Sequence, residues 1–156
     1  MDSQIKYRIM KRGDEAKVSE FVSVVFNEYV APGFSQDGID EFMMYIKPDA
    51  IETRLKENHF TFIATLGTEI LGVIEVRDNN HIALFFVGGR FQRKGIGKKL
   101  LQKALKSCGI NDSKFSKITV NASPNSIMAY KTLGFEPTDV EQCNNGIRFV
   151  PMALSL

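Results

Sequence analysis

Residues 5–10 alternate apolar and polar side chains before Gly13, the period-two pattern of a short strand. The period then lengthens. Val18, Phe21, Val22, Val25, Phe26 and Tyr29 trace one face of a helix that ends by Pro32 and Gly33, with Asp14 near its positive end. A second stripe, Ile39, Phe42, Met43 and Ile46, follows the capping candidates Ser35 and Asp37 and stops at Pro48. Ile51 and Leu55 predict a short third helix. Residues 60–66, 70–76 and 81–87 are extended runs separated by turns at Gly67 and at 78–80, which predicts an antiparallel three-strand meander.

After Gly88 and Gly89 the chain turns basic and then helical. Ile96, Leu100, Leu101, Ala104, Leu105 and Cys108 form the apolar stripe, and Gly109 is the expected stop. Residues 117–121 read as a strand, and Ser123-Pro124 as a cap and first-turn proline opening a short helix that runs to Gly134. Residues 138–142 and 146–154 predict a closing hairpin turned by Asn144, Asn145 and Gly146, with Pro151 at an edge or bulge.

At 156 residues the chain is one domain, 1–156, without repeat or linker. Its 44% apolar and 24% charged residues are those of an ordinary folded protein. A net charge of +2 is too balanced to make nucleic acid or an anionic membrane the main partner. Cys108 and Cys143 stand far apart and outside metal-ligand spacing, so no metal site is expected and the thiols read as reduced. The polar N-terminus and the lack of any run near the ~20 apolar residues of a membrane span predict a cytoplasmic protein.

The clearest chemistry lies between the third meander strand and the basic helix. A helix N-terminus presents unpaired N–H groups and a positive dipole end, both of which favour an anion. Gly95 and Gly97 remove Cβ atoms there, and Arg93, Lys94, Lys98 and Lys99 add positive potential. Two familiar phosphate motifs fail on spacing. A P-loop would need glycine where Gln92 stands and Ser or Thr where Lys99 stands, and the dinucleotide fingerprint would need a third glycine at Leu100.

Gln92-Arg93-Lys94-Gly95-Ile96-Gly97 instead resembles the Q/R-x-x-G-x-G/A acetyl-CoA motif of the GNAT N-acetyltransferases. A second segment agrees: Asn121-Ala122-Ser123 with Tyr130-Lys131-Thr132-Leu133-Gly134-Phe135 resembles the family's "N…Y-x-x-x-G-F". The resemblance runs over nearly the whole chain. It implies an α/β (α+β) fold, with a mixed, mostly antiparallel central sheet of six or seven strands and helices on both faces. It also implies acetyl-CoA as acyl donor, lying in a V-shaped opening between the strand before the loop and the strand after the helix.

Carried over residue by residue, the backbone of Phe86 and Val87 would bond the pantetheine arm and the acetyl carbonyl, with Val87 N–H facing the oxyanion. Backbone amides of Gln92, Arg93, Lys94, Gly95, Ile96, Gly97 and Lys98 would hold the pyrophosphate. Asn121 and Ser123 would meet the thiol arm, with a helix cap as the competing role for Ser123. The implied reaction is direct attack of a primary amine on the acetyl group, with Tyr130 as general acid to the thiolate. Two residues compete for the base: Glu75, among apolar neighbours on the adjacent strand, and His81, at a strand start. The sequence reveals no partner for His59.

In this fold the acceptor, a small amine or a peptide or protein amine, is selected by the segment here numbered 27–58. Tyr29, Phe34, Phe42, Met43, Met44 and Tyr45 offer apolar walls, and Asp37, Asp40, Glu41 and Asp49 offer charge. The competing reading is a non-catalytic acyl-CoA-binding regulatory or sensor module, which turnover separates from the enzyme. A nucleic-acid-binding domain using Arg90, Arg93, Lys94, Lys98 and Lys99 is a third, and the balanced charge argues against it. Phe149, Val150, Met152 and Leu154 on the last strand offer an apolar edge for a homodimer.

Overall fold

The alternation at the start of the chain becomes β1 (Lys6–Ile9), antiparallel to β2 (His59–Leu66), in a computed structural model that describes residues 4–78, 80–111 and 116–156. Between them run α1 (Glu15–Tyr29), a 3-10 turn (Ala31–Gly33), α2 (Gln36–Tyr45) and α3 (Pro48–Leu55). Each helix starts or stops where the sequence predicts. Ser35 caps α2 by accepting from Gly38 N–H at 3.2 Å, and Pro48 opens α3 in the first turn, where its missing N–H costs nothing.

The meander continues through β3 (Glu69–Arg77) and β4 (His81–Val87); of its second turn, Asn79 lies outside the described residues. After a 3-10 turn (Gly89–Phe91) comes α4 (Ile96–Asn111), which passes through Gly109 instead of stopping there. A helical glycine costs only about 1 kcal/mol. Then follow β5 (Lys117–Ala122), a 3-10 turn (Pro124–Ser126), α5 (Ile127–Thr132), β6 (Glu136–Pro137), β7 (Gln142–Asn144) and β8 (Ile147–Ser155).

The sheet has eight strands in the order β1-β2-β3-β4-β5-β8-β6, with β7 also on β8, and β4–β5 is the parallel pair. The count exceeds the expected six or seven because nine-residue β8 carries two short partners along one side. Asn145 and Gly146, at φ 54° and 79°, make the two-residue turn between β7 and β8. Pro151 falls between the pairs Gln142↔Phe149 and Pro137↔Met152, where β8 changes partner.

Helices cover both faces. The stripe Ile96, Leu100, Ala104 and Cys108 buries α4 against Ile74, Val76, Ile82, Ile118 and Val120 on one face. Val18, Val22, Ile46 and Ile51 of the α1–α3 segment pack on Ile63, Val73 and Leu84 on the other. The apolar edge expected of the C-terminal hairpin is absent: β8 is an interior strand, and Val150 and Met152 belong to the α4-side core. Among the described residues no helix is long and apolar enough to cross a membrane, and no His, Cys, Asp and Glu cluster forms a metal site. Both cysteines are free thiols, Cys108 buried and Cys143 exposed.

Candidate active site

β4 and β5 pair through His81↔Thr119 and Ile82↔Val120, and then part. The cause lies on the opposite side of β4. Against β3 the register runs Val76↔Ile82 and then Glu75↔Leu84, which leaves Ala83 as an extra residue, a β-bulge. A bulge bends its strand and increases its twist, so β4 turns away from β5 one residue after their last pair.

The ladder fixes what the split exposes. Gly88 N–H donates to the Leu71 carbonyl at 2.8 Å, which makes Gly72↔Val87 a non-hydrogen-bonded pair and the flanking residues the bonded ones. Phe86 therefore bonds to β3, while backbone groups of Phe85 and Val87 point towards β5. The Val87 carbonyl accepts from Gln92 Nε2 at 3.1 Å, leaving the Val87 N–H facing the split. The expected backbone role of Phe86 is thus corrected: its peptide is committed to β3, and its side chain lines the cleft on the α1–α3 face.

Beyond Gln92 the loop takes positive φ at Arg93 (65°) and Gly95 (83°), with Lys94 between them. Such alternation turns successive N–H groups into one concavity, an anion-binding nest. Gly95 is required by its φ and opens on free space, with nothing within 4 Å of where a Cβ would stand. Gly97 differs, since a Cβ there would rest on Val87 and Phe85 at ordinary contact distances of 3.6 and 3.7 Å. Ile96 is buried in the core, so its side chain anchors the start of α4 and only its backbone is left for a ligand. Arg93, Lys94 and Lys98 stay exposed around the loop.

Across the split stands Tyr130 of α5, half-buried, its ring edge-on to Phe85 of β4 and Phe135 behind it. Burial pushes its phenol pKa up, so the hydroxyl keeps its proton far above neutral pH. Asn121 lines the same cleft beside Ser123 and Ser126. Ser123 does not cap the following turn with its side chain; its hydroxyl bonds Ser126 Oγ at 2.6 Å and Asn125 Oδ1 at 3.0 Å.

The cleft continues through the sheet as a cavity of about 430 Å³. On the α1–α3 face its walls are Phe26, Phe34, Phe42, Tyr45 and Phe86, closed by Ile147 and Phe149 of β8. Phe34, Glu41, Phe42 and Tyr45, acceptor candidates in the sequence, line this cavity. Tyr29, Met43, Met44, Asp37, Asp40 and Asp49 are not on this wall. Phe149, expected at a dimer edge, lines this cavity instead: β8 alternation sends it to the face opposite Val150 and Met152, the signal that would have assigned it here. Two ties hold the far side over the cleft: Ser35 Oγ to the Gly146 carbonyl at 3.3 Å, and Asn125 Nδ2 to the Tyr29 carbonyl.

Glu75 is 2% exposed, and Arg54 of α3 takes both of its oxygens, at 2.7 and 3.1 Å. The same guanidinium donates to the Tyr45 carbonyl at 2.6 Å and stacks 3.8 Å from the Tyr45 ring centroid. The expectation of Glu75 as a free base is corrected on this geometry, because its lone pairs are spent on a buried cation. His59 Nε2 lies 3.7 Å from Glu75, the partner that the sequence did not reveal. His81 Nδ1 meets Thr119 Oγ1 at 2.8 Å, and burial depresses its pKa to about 4. At the closed end of the split it is a structural pair.

A family model described as "Acetyltransferase (GNAT) domain" matches residues 30–156. No curated protein matches the chain in sequence. Among solved structures it is similar to a GCN5-related N-acetyltransferase from Rhodopseudomonas palustris, at 20% identity and TM-score 0.82 over 100% of this chain and 99% of that one. It is also similar to the PaiA N-acetyltransferase of Thermoplasma acidophilum, solved in complex with coenzyme A, at 16% identity and TM-score 0.80 over 98% and 99% of the chains. A GNAT-family acetyltransferase from Staphylococcus aureus Mu50 aligns at 20% identity and TM-score 0.75, over 98% and 99%.

Proposed function

Since this chain belongs to the GNAT acetyltransferase family, we propose that it is an N-acetyltransferase that moves the acetyl group of acetyl-CoA to a primary amine by direct attack. One observation carries the reading. The β4–β5 split leaves the Val87 N–H facing the gap, Tyr130 stands across it against Phe85, and the loop that leaves β4 forms the Arg93–Gly95 nest just before α4. The coenzyme A complex of the Thermoplasma acidophilum structure supports a coenzyme A thioester as the donor here.

Bound acetyl-CoA supplies an activated acetyl thioester. The nest and the start of α4 hold its pyrophosphate on backbone N–H groups of residues 92–98, with Arg93, Lys94 and Lys98 adding potential. Asn121 and Ser123 border the thiol arm. The Val87 N–H donates to the oxygen of the acetyl carbonyl as negative charge develops on it. The amine nitrogen forms the new C–N bond, the C–S bond breaks, Tyr130 gives its phenolic proton to the departing sulfur, and the proton that the nitrogen loses after attack returns through solvent to the tyrosinate. With Glu75 paired, the amine sheds its own proton to water as it leaves solvent for apolar walls, since desolvation disfavours the ammonium form.

Calorimetric titration of acetyl-CoA into wild type and Gly97→Glu, followed by thiol release with an amine panel, tests this. Micromolar binding lost in Gly97→Glu, with turnover that needs Tyr130, supports the enzyme. Binding without turnover by any amine would instead make the chain a sensor module, and no binding by folded wild type would remove the reading.

A further inference from the structure

The cleft face that remains for the acceptor is chemically one-sided. Phe26 and Phe42 stack at 4.0 Å, Phe34 stands edge-on to Phe26 at 5.4 Å, and Phe86 tilts against Phe42 at 5.9 Å, which makes a continuous aromatic wall. Tyr45 and Phe149 extend it. Among the described lining residues Glu41, exposed at the rim, is the single carboxylate; Arg77 also lines the cavity, and Arg148 is engaged by Glu141 at 2.8 Å.

Resting on the acetyltransferase reading above, we infer that the acceptor is a small monoamine whose body is aromatic, an arylalkylamine. An ammonium is attracted to aromatic faces and to Glu41 at the rim. The apolar body then fills the wall. A polyamine would bring a second ammonium with no second carboxylate to meet it, and burying an unpaired charge is costly. A lysine within a peptide would need an open trough, whereas the Ser35–Gly146 tie joins α2 to the β7–β8 turn on that side. A volume of about 430 Å³ suits a small molecule beside the donor's acetyl end. Tyr45 is held in the wall from behind by Arg54, which makes the wall rigid before the acceptor arrives.

The test is initial-rate thiol release at saturating acetyl-CoA with 2-phenylethylamine, spermidine and an N-blocked lysine peptide. The expected kcat/KM for 2-phenylethylamine is at least about tenfold above both others. Phe34→Ala and Phe42→Ala should each raise its KM about tenfold while calorimetric affinity for acetyl-CoA is unchanged, and Glu41→Gln should raise it a few-fold. Phe34 is partly exposed, which keeps one of the two aromatic variants folded. Equal or faster turnover of spermidine or the peptide, or a KM unmoved in both aromatic variants, overturns the arylalkylamine assignment and leaves the acetyltransferase reading intact. Failure of wild type to bind acetyl-CoA overturns both.

Discussion

Tyr130 and Phe85 stand on opposite sides of the sheet's split, with ring centroids 6.0 Å apart and planes inclined at 65°. The contact carries α5 across a gap that the backbone leaves open, and sets the phenol beside the strand whose N–H groups face the cleft. An edge-on aromatic pair is worth about 0.5–1.5 kcal/mol beyond its burial, enough to fix the ring without closing the gap.

Tyr130→Phe keeps that ring contact and removes the proton. Turnover should fall by about 10²–10⁴-fold with acetyl-CoA affinity and unfolding midpoint unchanged. Because burial raises the phenol pKa, the wild-type rate should show no loss of the acid form up to about pH 10. A descending limb near neutrality that disappears in the variant would contradict the assignment.

The two loop glycines should respond differently. Gly95→Ala forces a Cβ into a left-handed conformation and should cost about 1–2 kcal/mol of stability, seen in urea unfolding. Gly97→Ala meets only ordinary contacts and should leave stability within about 0.5 kcal/mol. Gly97→Glu should remain folded by circular dichroism and lose calorimetric binding of acetyl-CoA, since it brings a carboxylate to the proposed pyrophosphate site.

Arg54 and Glu75 are predicted to matter through the fold. Glu75→Gln leaves the guanidinium buried without its counter-charge and should destabilise by about 3–5 kcal/mol. Replacing both, Arg54→Met with Glu75→Leu, should recover most of that loss. Urea midpoints of the two single variants and the double variant give the comparison. A Glu75→Gln protein that is fully stable yet inactive would restore the catalytic-base role.

Gly38 is fixed by a neighbour. A Cβ there would lie 2.5 Å from the Gly146 carbonyl oxygen, so Gly38→Ala must push α2 off the β7–β8 turn. The expected cost is about 1–3 kcal/mol, together with a raised acceptor KM and an unchanged acetyl-CoA affinity. Differential scanning calorimetry and steady-state kinetics read the two effects separately.

Stability should decline on acidification from near pH 6.5. His81 has a folded pKa depressed to about 4, against about 6.5 in an unfolded chain, so between those values the unfolded state binds the extra proton. Its contribution is complete above the unfolded value and is lost as pH falls through the folded one. Allowing for solvent screening, the loss is about 2 kcal/mol. His81→Asn should flatten urea midpoints measured between pH 7 and 4. Asp14, whose carboxyl is held below the usual range chiefly by its hydrogen bonds to Arg8, adds a further loss at lower pH.

Much of the fold was legible because α1, α4 and the meander carry long, single-period patterns. The loop from Gln92 to Gly97 was legible because its chemistry is contiguous. What escaped depends on distance or on a single misfit residue. The bulge at Ala83 leaves no mark on an apolar run, although it opens the site. Arg54 reads as one more polar residue on a short helix, and its partner lies 21 positions away on β3. The strands at 136–137 and 142–144 are too short for a period, so they merged into one expected strand at 138–142. Phe149 needed the register of β8 before its face was known.

The two ties over the cleft join residues 111 and 96 positions apart along the chain. Contacts of such sequence separation form late, because the loop-closure entropy must be met before they contribute. During synthesis, a chain that has emerged only as far as α4 can assemble the meander and the anion nest, but its pocket has no far wall. Competence to recognise an acceptor should therefore arise in one late step, when the turn at Asn145 and Gly146 docks on Ser35.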